Sequence, residues 1–203
     1  MDGILISSID AVVRSWTKWA VMRNLDPAST IRTAHGCRVV ETVRLLRPDL
    51  DPAAELKVIE DLEIADVDGL TTLPGVLKLL SALPAHRWTV VTSSTERLAR
   101  VRLKHAGLPL PERFVTAESV TQGKPHPDPF LAGAALLGLA PEDCVVFEDA
   151  PSGVQAGLAA GCTVIATTFT HSIEELAGAD HFIQDMCQVS VETRDDSIVL
   201  NLR

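Results

Sequence analysis

The sequence lacks a surplus of positive charge: 27 Asp and Glu stand against 18 Lys and Arg, a formal charge of -9. That balance opposes sequence-independent binding to nucleic acid or to an anionic membrane, both of which need a net basic surface. A small anion can still bind through a few local cations. Cysteine pairs are missing too. Cys37, Cys144, Cys162 and Cys187 are widely spaced with no Cys-x-x-Cys among them, so they read as reduced core thiols. No basic region precedes an apolar segment at the N-terminus, and the most apolar later window, residues 131–140, is too short to span a bilayer. A cytoplasmic protein is the expectation. There is no internal repeat and no charge run of the kind that marks a tail. What remains is a 203-residue chain, 46% hydrophobic, with twelve Gly and twelve Pro spread as punctuation. Such a chain can bury one sizeable core and carry a second small lobe.

Its first segment, residues 1–8, is a Gly turn followed by a short apolar run. Helical periodicity then sets in over 9–22, with Ile9, Val12, Val13, Trp16 and Trp19 on one face. From 29 to about 66 the pattern stays helical, and Asp51-Pro52 supplies a cap followed by Pro in the first turn. Asp68-Gly69 and Pro74-Gly75 mark a loop. Residues 9–72 therefore read as an all-helical insertion.

Beyond it, strands and helices alternate, as in a parallel sheet with crossovers. The sequence predicts helices over 76–83, 96–105 and 154–160, and one capped by Asp128 that runs to 137. Strands are expected over 88–92, 114–117, 144–147, 163–167 and 182–183. The predicted class is α/β, a Rossmann-like parallel-sheet core (1–8 and 73–188) with an inserted helical cap. The tail, 189–203, has the pattern of a hairpin about Arg194-Asp195-Asp196.

Four groups fall at strand ends or in the loops beyond them. The run Val145-Val146-Phe147 ends in Glu148 and Asp149, and ligands of open α/β sheets bind at that edge. Paired carboxylates there suit Mg2+ held together with a substrate phosphate. Thr92-Ser93-Ser94 leads into a helix N-terminus, whose free amides suit a phosphate. Gly123-Lys124-Pro125 fixes a cation, and Asp2 precedes Gly3. Each alone has a bland reading as turn acids, helix caps, a solvated loop Lys or a frayed terminus. Together they form a phosphoryl-transfer inventory.

With these motifs in this order, Gly-Lys-Pro and then Phe-Glu-Asp-Ala-Pro-Ser-Gly, the chain resembles the haloacid-dehalogenase-like (HAD) superfamily of phosphatases and phosphomutases. The resemblance spans about residues 1–185 and is to the subgroup with a helical cap inserted after the first motif. It implies that Asp2 is the general acid/base and, with Asp149 and Glu148, a metal ligand. Ser93 and the amide of Ser94 would hold the phosphoryl group, Lys124 would neutralise it, and Asp149 helped by Glu148 would bind Mg2+. In the cap, His35, Arg38 and Glu41 resemble the substrate-facing stretch of sugar-phosphate and polyol-phosphate phosphatases, with Arg38 as the specificity residue. The implied partner is a small phosphorylated metabolite.

The pattern departs from the family at its start. The family's nucleophilic Asp lies two residues before the position of Asp2, and Ile4 stands where Thr is usual. Loss of a nucleophile costs on the order of 10⁶ in rate, so the chain as written is expected to be nearly inactive. The family's first strand, central in the sheet, is expected to be absent, leaving its two neighbours roughly 10 Å apart. The expectation that follows is a true start upstream of Met1. The functional expectation is a Mg2+-dependent phosphatase, with a sugar phosphomutase or a non-catalytic phosphate-binding protein as alternatives.

Overall fold

The computed structural model describes residues 1–194 and 197–203. The chain opens with Asp2 bridged to Ile6 around the Gly3 turn, followed by strand β1 (Ile6–Ser7). Four helices follow: α1 (Ile9–Met22), α2 (Pro27–Ala34), α3 (Val39–Leu46) and α4 (Pro52–Ala65). Strand β2 (Thr71–Thr72) then pairs antiparallel with β1, so the two ends of the helical lobe leave the core side by side. Arg14 ties the lobe's two ends together by gripping the Asp66 carboxylate and the Asp68 carbonyl.

The lobe folds because its helices carry their own start signals and one apolar stripe. Asp26 and Asp51 each accept a backbone N–H of the turn they precede, and Pro27 and Pro52 begin the helices. Trp16, Trp19, Val43 and Ile59 meet in its core, with Trp16 and Trp19 edge to face at 5.4 Å. Buried Glu55 is matched by the Trp19 indole N–H and by Arg23.

In the core, α5 (Val76–Ala82), α6 (Glu96–His105) and α7 (Asp128–Leu137) precede β3 (Val145–Glu148). Next come α8 (Pro151–Ala160), β4 (Thr163–Thr167) and β5 (His181–Ile183). The three strands form one parallel sheet in the order β3-β4-β5. This is the α/β class with a helical cap expected from the sequence. Strands β6 (Val189–Arg194) and β7 (Ser197–Leu202) pair antiparallel in register. Two residues expected in their turn, Asp195 and Asp196, lie outside the described residues.

Three expectations are corrected. Segments 88–92 and 114–117 form no ladder; Val91 and Val115 make a single bridge, with Thr92 N–H to Val115 O and Val115 N–H to Val90 O. A strand needs a paired neighbour to extend, and on its other side segment 88–91 meets a cavity of about 550 Å³ shared with Val145, Phe147, Ile4 and Leu200. Strand β3 is thus the sheet's edge. Second, Asp128 is the first residue of α7, and Pro127 takes the cap position. Third, Cys162 is buried but Cys187 is exposed, so the cysteines are not uniformly core thiols. Among the described residues no helix is long and apolar enough to cross a membrane.

Candidate active site

The site's floor is built where β3 gives way to α8. Strand β3 carries its last side chain, Glu148, to the sheet's carboxyl edge, and Asp149 follows it. Both are buried. Glu148 Oε1 is ion-paired with Lys124 Nζ, and its Oε2 accepts the Asp149 N–H at 3.1 Å. Lys124 is buried too, its ammonium 4.9 Å from the centre of the Phe130 ring. The Thr170 hydroxyl lies 2.7 Å from Asp149 Oδ2, and His171 Nδ1 lies 2.8 Å from the Asp149 carbonyl. Gly3, at φ +69, passes so close that a Cβ would stand 1.9 Å from Asp149 Oδ2.

Asp2 occupies the opposite wall. Its Oδ1 accepts Ser8 Oγ at 2.6 Å and Arg102 Nη1 at 2.8 Å, and Oδ2 lies 3.4 Å from Ser94 Oγ. Burial pushes the Asp2 carboxyl up, but Arg102 above all, with the Ser8 and Ser94 hydroxyls, holds it below the usual carboxylate range. Arg102, on α6, is 2% exposed. Its Nη2 stands 3.3 Å from Glu63 Oε1 of α4, an ion-pair distance without hydrogen-bond alignment, and its Nε has no partner among the described residues. Burial pushes Glu63 up to about 7, against the pull of Arg102.

The cap closes over this floor through backbone as much as side chain. Ser93 Oγ donates to the Gly36 carbonyl at 3.1 Å, while the Ser94 N–H donates to Thr92 Oγ1. Gly36 has φ +73, and a Cβ there would press on Ser152 Oγ at 2.9 Å, so only glycine lets the cap loop settle against α8. His35 Nε2 lies 3.8 Å from Asp149 Oδ2, its ring edge-on to His171 at 4.7 Å; the nearby carboxylate raises the His35 pKa against the effect of burial.

Arg38 is placed differently from its expected role as the specificity residue. Its guanidinium donates to Glu41 and to the carbonyls of Ala117, Val120 and Thr121, and Glu41 in turn accepts the Gly123 N–H at 3.4 Å. Every nitrogen of the fork is engaged, so Arg38 latches the cap to the loop that carries Lys124. Glu60 of α4 makes a second cross-link, to Thr95 and Arg97.

Asp2, Ser93, Ser94, Lys124, Glu148 and Asp149 all line one pocket of about 170 Å³, with His35 and Arg38 on its cap side and Glu41 behind Arg38. The expected metal set is not assembled as three ligands. Among the described residues no group of three or more His, Cys, Asp or Glu is placed to hold a metal ion. Arg102 and Ser8 engage Asp2 on one wall, and Lys124 engages Glu148 on another. Sequence reasoning missed Arg102, Glu63, Thr170 and His171. Thr170 and His171 follow closely on the carboxyl end of β4, the same edge as Glu148, a signal available in the strand order. Arg102 and Glu63 carried none, since charged residues inside surface helices are ordinarily solvated.

The sequence and fold have known counterparts. A model of haloacid dehalogenase-like hydrolases matches residues 1–161. Hexitol phosphatase A of Escherichia coli (strain K12) is 42% identical over 205 residues, covering 98% of this chain and 95% of that protein. Glycerol-1-phosphate phosphohydrolase 2 of Saccharomyces cerevisiae is 34% identical over 199 residues, covering 91% and 80%. Among solved structures, a hydrolase from Pseudomonas syringae superposes with a TM-score of 0.82 at 25% identity, over 92% of this chain and 91% of that one. A β-phosphoglucomutase from Clostridium difficile, at 20% identity and a TM-score of 0.78 over 93% and 90%, shares the fold.

Proposed function

Because the chain belongs to the haloacid dehalogenase-like hydrolase family, we propose that its pocket serves the Mg2+-dependent hydrolysis of a small sugar or polyol phosphate. One observation carries the reading. Hydroxyl donors, a buried cation and two adjacent carboxylates converge on a single cavity at the sheet's carboxyl edge, beneath a cap. Relatives named for hexitol and glycerol phosphates support the substrate class.

Each residue has a task its setting suits. Ser93 and Ser94 offer donors at the start of α6, where helix N-termini favour anions. Lys124, shielded from water, acts on a phosphoryl oxygen far more strongly than a solvated Lys does. Asp2 lies within reach of Ser94 and would take a proton from the water that attacks phosphorus, then pass it to the leaving oxygen as the ester P–O bond breaks. The donor chemistry at Glu148 and Asp149 fits Mg2+, which needs only one or two carboxylates beside a substrate phosphate and water. Bound there, Mg2+ would supply Lewis-acid polarisation of the phosphoryl group.

A second reading, phosphate-ester binding without turnover, is favoured by the state of Asp2. Arg102 above all, with the Ser8 hydroxyl, holds its carboxyl below the usual carboxylate range, which makes it a weak base toward water. Phosphate release from glycerol 1-phosphate, sorbitol 6-phosphate and 2-deoxyglucose 6-phosphate, with and without Mg2+, separates the two. The phosphatase reading expects release only with Mg2+. Thermal stabilisation by the same esters with no release favours binding alone, and an isomeric sugar phosphate as product would replace hydrolysis by mutase chemistry.

A further inference from the structure

Three polar side chains of the cap line the pocket and make no side-chain hydrogen bond among the described residues. On α1, Trp16 is 3% exposed and its indole N–H has no acceptor, whereas the N–H of its neighbour Trp19 is taken by Glu55. On α4, Glu63 is 5% exposed and its carboxyl meets the Arg102 guanidinium at 3.3 Å, out of hydrogen-bond alignment. The third, the His35 ring, sits beside Asp149 and His171 at the phosphate end. Around Trp16 and Glu63 the cap wall is largely aliphatic, with Val12, Val13, Ile31, Val40 and Leu56. Arg38 and Glu60 are engaged in cross-links to the core. A buried carboxyl and a buried indole N–H are costly on such a wall unless a partner arrives, and Leu or Phe would pack there without that cost.

We propose that Glu63 and Trp16 are specificity-determining residues of this pocket: the Glu63 carboxyl accepts a hydrogen bond from a hydroxyl of the substrate's organic part, and the Trp16 N–H donates one to a hydroxyl oxygen. The proposal rests on the phosphomonoester reading above and deepens it. A hydroxyl is the neutral group that can both donate to a carboxyl and accept from an indole, and an alkyl chain does neither. The reach is suitable as well. Arg102 gives Nη1 to Asp2 and turns Nη2 to Glu63, so the acid stands one guanidinium away from the group that would serve the leaving oxygen. A hydroxyl a few atoms along the substrate chain falls in that range. Arg102 acts as a positioning residue, holding Glu63 at the wall. Hydrogen bonds to charged groups correspond to about 10- to 100-fold in affinity, and that is the discrimination expected against an ester without hydroxyls.

The test uses the full chain with Mg2+ at pH 8, above the Glu63 pKa of about 7, and calorimetric titration of inorganic phosphate, glycerol 1-phosphate and n-propyl phosphate. The two esters have the same carbon skeleton and differ by two hydroxyls. The expected result is that glycerol 1-phosphate binds about tenfold or more tightly than propyl phosphate. Glu63→Gln keeps the shape of the side chain and removes its charge; it should shrink that ratio several-fold and leave inorganic phosphate and propyl phosphate unchanged. Trp16→Phe, which removes the N–H, should act in the same direction. Esters that bind the unaltered chain within threefold of each other would overturn the proposal while leaving the phosphate site intact. So would a ratio unmoved by Glu63→Gln, or an equal loss of all three ligands in that variant, which marks a structural role alone. Failure of inorganic phosphate and both esters to bind the unaltered chain would overturn the phosphomonoester reading itself and the proposal with it.

Discussion

Arg102 on α6 and Asp2 near the start of the chain meet through a 2.8 Å hydrogen bond, and the same guanidinium faces Glu63 of the cap. One buried cation thus serves two carboxylates, one from each lobe. Replacing it by Met leaves buried Glu63 without its cation and Asp2 with hydroxyl partners alone. The loss expected for Arg102→Met is about 3 to 5 kcal/mol, measured by urea unfolding. A loss below 1 kcal/mol would mean that the carboxylates find other partners.

Glu63 gives the stability a pH dependence of known sign. Its folded pKa, about 7, lies above its ordinary 4.5, so the folded state binds the proton more tightly. The contribution is fully present below pH 4.5 and is lost as pH rises through 7. At 1.36 kcal/mol per unit the change is roughly 3 kcal/mol. Urea midpoints at pH 5 and pH 8 should differ by less in Glu63→Gln than in the unaltered chain; parallel shifts would remove Glu63 as the source.

Arg38→Ala should loosen the cap without unfolding either lobe. It removes the donors to Ala117, Val120 and Thr121. Each 1.4 kcal/mol lost is about tenfold in the opening equilibrium, so amide exchange across residues 35–41 should quicken by about tenfold or more. Lys57→Ala removes an exposed pair with Asp61 and serves as the control, with little change expected. Equal exchange in the two variants would count against the latch.

Gly3→Ala drives a methyl into the Asp149 carboxylate at a backbone angle that disfavours alanine. The strain is of order 1 to 3 kcal/mol. Displacement of Asp149 should also weaken Mg2+ binding about tenfold or more, since Mg2+ tolerates little departure from its preferred geometry. A Mg2+ titration followed by thermal shift reads both effects, and unchanged Mg2+ affinity would place the ion elsewhere.

Much of the fold was legible in the sequence because its signals are local. Periodicity alone located the helix beginning at Ile9, the cap and proline at Asp51-Pro52 marked the start of α4, and an apolar run bounded by turns gave β4. Segment 88–92 was misjudged for the opposite reason. A strand is completed by its neighbours, and Val91 has one bridge on one side and a cavity on the other.

The same division holds in the site. Chain order and position at or beyond the expected strand ends were enough to nominate Asp2, Ser93, Ser94, Lys124, Glu148 and Asp149, which all line one pocket. Of these, only Glu148 and Asp149 leave the carboxyl edge of the parallel sheet. Only the tertiary structure decided where each charge finds its partner. Arg38 became a latch and Arg102 a shared cation because docking the cap on the core brings carbonyls and carboxylates from distant parts of the chain within reach. Charge pairing acts over a few ångströms of space, and the spacing of residues along the chain does not encode it.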